Sequence, residues 1–430
     1  MKIIDLQLTA TKHILILLLL ICMVITRTDC FAVETLAIEA TGLKDANLTG
    51  RVIGTTGNKL FVAGGLTVDD TWCDTINYLE KNIDGSYVWR ESPVRLPVAL
   101  SSAGTFSSSD GLYIVGGLTR EGPSDFCCIL FWNKENSKLE TKVLPRLPIP
   151  LVSPAVALVD QTLYVVGGFT DAECKIPSDT FFAIKAGQST VTANTWRKLP
   201  VLPMGARGGA VTAVQNHEAG KALFLFGGQA LNDQSEVAPQ SDGWYYLPVK
   251  ESWFPVMEED NKPFDHYVNA AVATGTTHIL FPGHVGFKGN FSEGQDQSST
   301  ATKRNIYAYN TITKKFFLQD AAERDLPAEA TPVRWDNAIV LVAKSWGGEQ
   351  SQSNILRLQI YQQKNNLGTL NILVMVVYFG LLGVDGLLLC EETERHRRLL
   401  SRGPSCSLVD RWNKYLWNDH ECHIVHGGSG

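Results

Sequence analysis

Six times along the chain an apolar run closes on glycine. LFVAGG ends at Gly65, LYIVGG at Gly117, LYVVGG at Gly168 and LFLFGG at Gly228. HILFPGH carries Gly283 where a doublet glycine is expected, and IVLVAKSWGGE has its doublet at Gly347 and Gly348. The copies lie roughly 51 to 65 residues apart. Short runs rich in β-branched and aromatic residues and bounded by glycine predict buried strands. More of each unit lines up around them. A small-residue strand precedes the run, as in LVSPAVALV and ARGGAVTAV. A polar loop follows, then a strand with an aromatic (Tyr78, Phe181, Tyr309) and a last strand with another (Trp89, Trp196, Phe316). A Leu-Pro step leads to the next copy at Leu96-Pro97, Leu147-Pro148, Leu202-Pro203 and Leu326-Pro327.

Four strands per unit and six units predict an all-β fold, a six-bladed β-propeller. A glycine doublet after a buried strand, at a period near 50 residues, marks the kelch form of it. The doublets are expected where strands crowd the axis and only glycine turns sharply without a steric cost. The sixth unit lacks a clear outer strand before its end near Ile360, while residues 33–45 (VETLAIEATGLKD) alternate as an outer strand does. The N-terminal strand is therefore predicted to complete the last blade, closing the ring from both chain ends and removing an open sheet edge.

The flanks break the pattern. Residues 1–32 read as a signal peptide: Lys2 and Lys12 precede the run ILILLLLICMVI, about 12 residues against the roughly 20 that span a bilayer. The propeller is assigned to 33–365. Residues 366–390 read as one transmembrane helix. Its core LNILVMVVYFGLLGVDGLLLC (370–390) has one charge, Asp385, an expensive residue in lipid unless it faces protein or water. The basic stretch after it favours a cytoplasmic tail and a periplasmic or extracellular propeller anchored in the membrane. Residues 391–430 have no period and read as a tail that is disordered or out of frame.

Composition narrows the function. Of 430 residues 19% are charged, the net charge is −6, and the repeats hold no cluster of Lys or Arg, which argues against a nucleic-acid partner. Cys73, Cys127, Cys128 and Cys174 each follow a doublet, a position expected to be a loop. In an exported protein such cysteines invite disulfides between neighbouring blades, of a connectivity the spacing does not fix. No His accompanies them at zinc spacing, and nothing calls for a metal or cofactor. Asn47 and Asn290 begin glycosylation sequons.

Several passages together resemble the cyclically permuted relatives of N-acetylneuraminate (sialic acid) mutarotase, six-bladed kelch propellers of which some are fused to a sodium–solute symporter. The passages are GTTGNKLFVAGG, LVDQTLYVVGG, the strand through Arg207, GHVGFKG (283–289) and RNIYAYNTITKKF followed by VRWDNAIV. The resemblance implies anomer interconversion of sialic acid or a related sugar outside the cytoplasm, without a cofactor. That reaction takes a base for the anomeric hydroxyl, an acid for the ring oxygen and a cation for the sugar carboxylate. It places catalysis on Glu349 and His284 and substrate binding on Arg207 and Lys288. The family's Glu and Arg stand six residues apart. Here Ile355 occupies the arginine's place and Arg357 follows two residues later. Arg51 and Arg334 fall on expected inner strands and are read as structural. A sugar-binding propeller that has lost catalysis, serving a symporter, and a kelch protein-interaction domain are the two other functions this pattern allows.

Overall fold

The computed structural model describes residues 31–362, except 42, 44–47, 68, 187–194, 258–263, 265–267, 284–304, 323–325, 327–329 and 344–354, together with Gly380. The strands belong to one compact unit, Met1–Gln363. They form six antiparallel blades, the first five following the chain outward from the axis. Blade 1 runs Val52–Thr56, Lys59–Ala63, Ile76–Lys81 and Tyr87–Glu91. Blade 2 runs Gly104–Ser107, Leu112–Val115, Cys127–Asn133 and Lys138–Val143. Blade 3 runs Ala155–Val159, Thr162–Val166, Phe181–Lys185 and Arg197–Lys198, and blade 4 Val211–His217, Gly220–Phe226, Gly243–Leu247 and Ser252–Pro255. Blade 5 runs Val272–Thr274, His278–Pro282, Asn305–Asn310 and Lys315–Ala321.

Blade 6 is built from both ends of the chain. Its inner three strands are Ala330–Trp335, Ala338–Ala343 and Ile355–Gln362. Its outer strand is Phe31–Ala37, antiparallel to the third over seven residue pairs from Phe31–Gln362 to Ala37–Leu356. The closure read from the sequence is thus present, with a shorter strand than 33–45. After Ala37 the chain crosses to the neighbouring blade, where Ala40–Thr41 runs parallel to the outer strand of blade 1 as a fifth strand. One N-terminal segment therefore ties the last blade to the first.

The core lies between blades, in six clusters, one for each seam. Between blades 1 and 2, Val52, Phe61 and Ile76 meet Leu112, Ile114 and Leu130. Between blades 4 and 5, Phe224 and Phe226 meet Phe281, Tyr307 and Tyr309. Strand residues alternate faces, so every blade feeds the seam on each side. A fully buried side chain of this size gains about 1.5–3 kcal/mol on leaving water, and the seams hold most of these side chains. The leucines of the Leu-Pro steps, Leu96, Leu147, Leu202 and Leu326, are buried as well, pinning each outer-to-inner connection to its seam.

The doublets serve those seams rather than the axis. The first glycine of each described pair takes a left-handed φ: +61° at Gly64, +64° at Gly116, +58° at Gly167 and +60° at Gly227. The second donates its N–H into the next blade: Gly65 to the Leu100 carbonyl (2.9 Å), Gly117 to Leu151 (2.8 Å) and Gly168 to Arg207 (2.8 Å). A methyl on the first glycine would be driven into that same carbonyl. Crowding near the axis is therefore not what requires glycine here; the close passage of the next blade's backbone is.

The four cysteines are free thiols. Cys127 and Cys128 do not lie in a loop. They open the third strand of blade 2, fully buried, one facing each neighbouring seam. The short hairpin of Leu118–Thr119 and Gly122–Pro123 uses up the polar stretch earlier than its length implied. Among the described residues no helix is long and apolar enough to cross a membrane. The signal stretch up to residue 30, the span at 370–390 apart from Gly380, and the tail lie outside the described residues.

Candidate functional site

The inner strands of all six blades line a central channel of about 680 Å³, within the size range of small-molecule sites. Its doublet-side mouth is drawn together by main-chain bonds. Ser102 N–H donates to Gly50 (2.7 Å), Ser153 to Ser102 (2.8 Å) and Gly209 to Ser153 (3.2 Å), linking four consecutive blades. All four residues have positive φ, +64° and +64° at the glycines but +49° at Ser102 and +48° at Ser153. The two serines hold a conformation that favours glycine, a cost of order 1–3 kcal/mol each that the surrounding ring of bonds must offset.

Lower in the channel, hydroxyls bridge the blades in the same sense. Thr105 Oγ1 donates to Ile53 O (3.5 Å), Thr212 Oγ1 to Val156 O (2.6 Å) and Thr55 Oγ1 to Arg334 O (3.3 Å). Ser107 Oγ accepts the Thr55 N–H at 2.9 Å. Among the described residues of the lining there are two cations: Arg51, buried near the doublet-side mouth, and Arg334, exposed near the hairpin-side mouth. Among the described residues of the lining there is no carboxylate and no imidazole. Among the described residues as a whole, no cluster of His, Cys, Asp or Glu could hold a metal ion.

The predicted site residues fall as follows. Arg207 occupies the position that Leu100 holds in the seam of blades 1 and 2 and Leu151 in that of blades 2 and 3, with its carbonyl receiving the preceding doublet. Its side chain is only 3% exposed and does not line the channel. The guanidinium makes a forked pair with Asp242, Nη1 to Oδ1 at 2.5 Å and Nη2 to Oδ2 at 3.1 Å, and Nη1 also reaches the Gly227 carbonyl (2.9 Å). Trp244 Nε1 completes the carboxylate at 2.8 Å. Arg207 is thus neutralised from within, and an incoming carboxylate would have to displace Asp242. Glu349, His284 and Lys288 lie outside the described residues. Arg357, the arginine nearest the family's motif position, turns to its own blade's hairpin, where it meets Asp336 Oδ2 (3.2 Å) and O (2.9 Å), while Ile355 is buried in the seam of blades 6 and 1.

Two features escaped the sequence reading. Arg334 was expected to be structural, yet its side chain is exposed at the channel. Asp242 gave no signal as the partner of Arg207, although aligning the residue before each inner strand would have shown Arg207 at a core leucine position.

On the doublet face, the loops of blades 3 and 4 are held in defined turns. Asp171 accepts the N–H groups of Lys175 and Ile176, and Asn232 those of Gln234 and Glu236. Among carboxylates on this face, blades 3 and 4 expose the aliphatic side chains of Ile176, Val201 and Leu231.

No protein-family profile matches the chain. Over 122 residues it is 30% identical to the Kelch repeat and BTB domain-containing protein 1 of camelpox virus (strain CMS). The match takes in 28% of this chain and 21% of the viral protein, so the chain spans about a fifth of that relative's length. Fold and similarity together support a kelch-type β-propeller.

Proposed function

We propose that this propeller is a kelch-type protein-interaction module that meets its partner with the doublet face of blades 3 and 4. The observation that carries this reading is the exposure of Ile176 and Leu231, in the segments after the doublets of blades 3 and 4, and of Val201, in the connection between those blades. Aliphatic groups left in water and rimmed by polar ones mark contact surfaces. The test compares capture of a cross-linked partner by the native chain and two triple variants. Ile176→Asp with Val201→Asp and Leu231→Asp is expected to abolish it. Ile83→Asp with Val249→Asp and Ile312→Asp, on the opposite, hairpin face, is expected to leave it intact. Equal capture by both variants would sink the assignment to this face.

A second reading, a sialic acid mutarotase-like propeller or its non-catalytic sugar-binding counterpart, draws on the two channel arginines and the hydroxyls around them. Its acid and base, His284 and Glu349, would have to come from outside the described residues. Proton NMR of freshly released α-sialic acid distinguishes the two. The interaction reading predicts conversion to the β anomer at the buffer rate, and an acceleration by folded protein would favour the isomerase.

A further inference from the structure

The channel wall is not uniform. Blades 3, 4 and 5 contribute mainly alanine and valine; Ala155 and Val156 turn into the seams, and Ala210, Val211, Val214 and Ala273 are the part-exposed members. Blades 6, 1 and 2, which are neighbours, contribute the cation and most of the hydroxyls at the hairpin-side mouth. There Arg334, Thr55 and Ser107 sit side by side, joined by the Thr55 Oγ1 bond to the Arg334 carbonyl and the Thr55 N–H bond to Ser107 Oγ. Thr55 spends its hydrogen in that bond. Ser107 has its oxygen taken as an acceptor and keeps its O–H hydrogen to donate. The nearest described carboxylates are not part of the lining: Asp336 pairs with Arg357, and Asp110 lies outside it. Among the described residues, the mouth therefore offers donors and a positive charge with no carboxylate in its lining, beside an aliphatic wall.

We infer that the channel binds an amphipathic organic anion, a carboxylate or sulfonate with an aliphatic or aryl body. Its head meets Arg334 and Ser107, and its body lies along the part-exposed valines and alanines of blades 4 and 5. A guanidinium binds such a head group through a fork of two charge-assisted hydrogen bonds. The apolar body loses contact with water against Val211 and Val214, an environment a polyhydroxylated sugar would find poor in partners. The inference concerns the channel and does not depend on the interaction face.

Isothermal titration calorimetry of the full chain with octanoate tests it, with octanamide as the neutral isostere and N-acetylneuraminate as the hydrophilic anion. Octanoate should bind at one site and more tightly than octanamide. Arg334→Met should weaken octanoate roughly tenfold or more and leave octanamide unchanged, as loss of a charged hydrogen-bonded partner does. Val214→Thr, nearly isosteric, should weaken both, with near-ultraviolet circular dichroism confirming that each variant is folded. No octanoate heat from folded protein, or the same octanoate affinity in Arg334→Met, would overturn the inference. Binding of N-acetylneuraminate without octanoate would also overturn it and return the channel to the sugar reading.

Discussion

Replacing Gly167 by alanine should be among the most damaging single-methyl changes in the molecule. The new methyl would be driven into the Arg207 carbonyl of the next blade, a backbone atom that cannot rotate away. The residue would also have to hold φ +58°, which costs an L-residue about 1–2 kcal/mol. If the seam opens to relieve the contact, the 2.8 Å bond from Gly168 N–H to that carbonyl is lost, about 1 kcal/mol more, together with packing around Leu199 and Leu202. The conformational and hydrogen-bond terms sum to about 2–3 kcal/mol, with the lost packing in addition. Gly85→Ala supplies the control: its φ is +89°, nothing lies within 4 Å, and only the conformational cost of about 1–2 kcal/mol applies. The remaining doublets set a graded series. Gly116→Ala and Gly64→Ala meet the Leu151 and Leu100 carbonyls, the latter at 2.5 Å, whereas Gly227→Ala meets the Val268 side chain at 3.2 Å. Urea melts of the five variants should rank them 167, 116, 64, 227, 85 from most to least destabilised. If Gly167→Ala costs no more than Gly85→Ala, the seam contact is not what the doublet protects.

Three further expectations follow from buried groups. Asp242→Ala strands the Arg207 charge at 3% exposure and should cost about 3–5 kcal/mol by chemical denaturation, while Arg207→Leu with Asp242→Asn, which restores the leucine of the other seams, should cost clearly less. Thiol reagents should label Cys73 and Cys174 in the folded chain and reach Cys127 and Cys128 only on unfolding, because burial pushes the Cys127 thiol up to about 12 and the Cys128 thiol higher still; peptide mass mapping reads this directly. Burial lowers the pKa values of His217 and His278 below 6.5, so the unfolded chain takes up their protons first and stability should fall as pH drops below about 6.5; denaturation midpoints at pH 7.5 and 5.5 that do not differ would contradict it.

The repeat, the blade count and the borrowed strand of blade 6 were legible because each rests on periodicity, a property of the sequence itself. LYVVGG announces a strand and its end wherever it occurs. The reason for the glycines was not legible, since the atom that forbids a side chain at Gly167 belongs to a residue 40 positions later, Arg207. Cys127 and Cys128 were misplaced because distance from a doublet measures chain and not path: a tight hairpin at 118–123 brings the third strand in early, although the apolar run CCILFW was there to be read. Arg207 drew attention by its charge, and only its packed position shows that the charge is balanced internally. Arg334 looked structural on an inner strand, yet it stands at the strand's end, where the channel opens.

The strand shared between the two chain ends also sets an order of events in folding. Each of the other blades forms from contacts within some 50 residues. The seven pairs between Phe31–Ala37 and the third strand of blade 6 join positions more than 300 residues apart, and closing a loop of that length costs about 5 kcal/mol in chain entropy. Ring closure therefore comes last, after residue 362 has been synthesised, and until then the third strand of blade 6 presents an unpaired edge. That edge is the molecule's period of exposure to misassembly, and a second copy's Phe31–Ala37 fits it as well as its own.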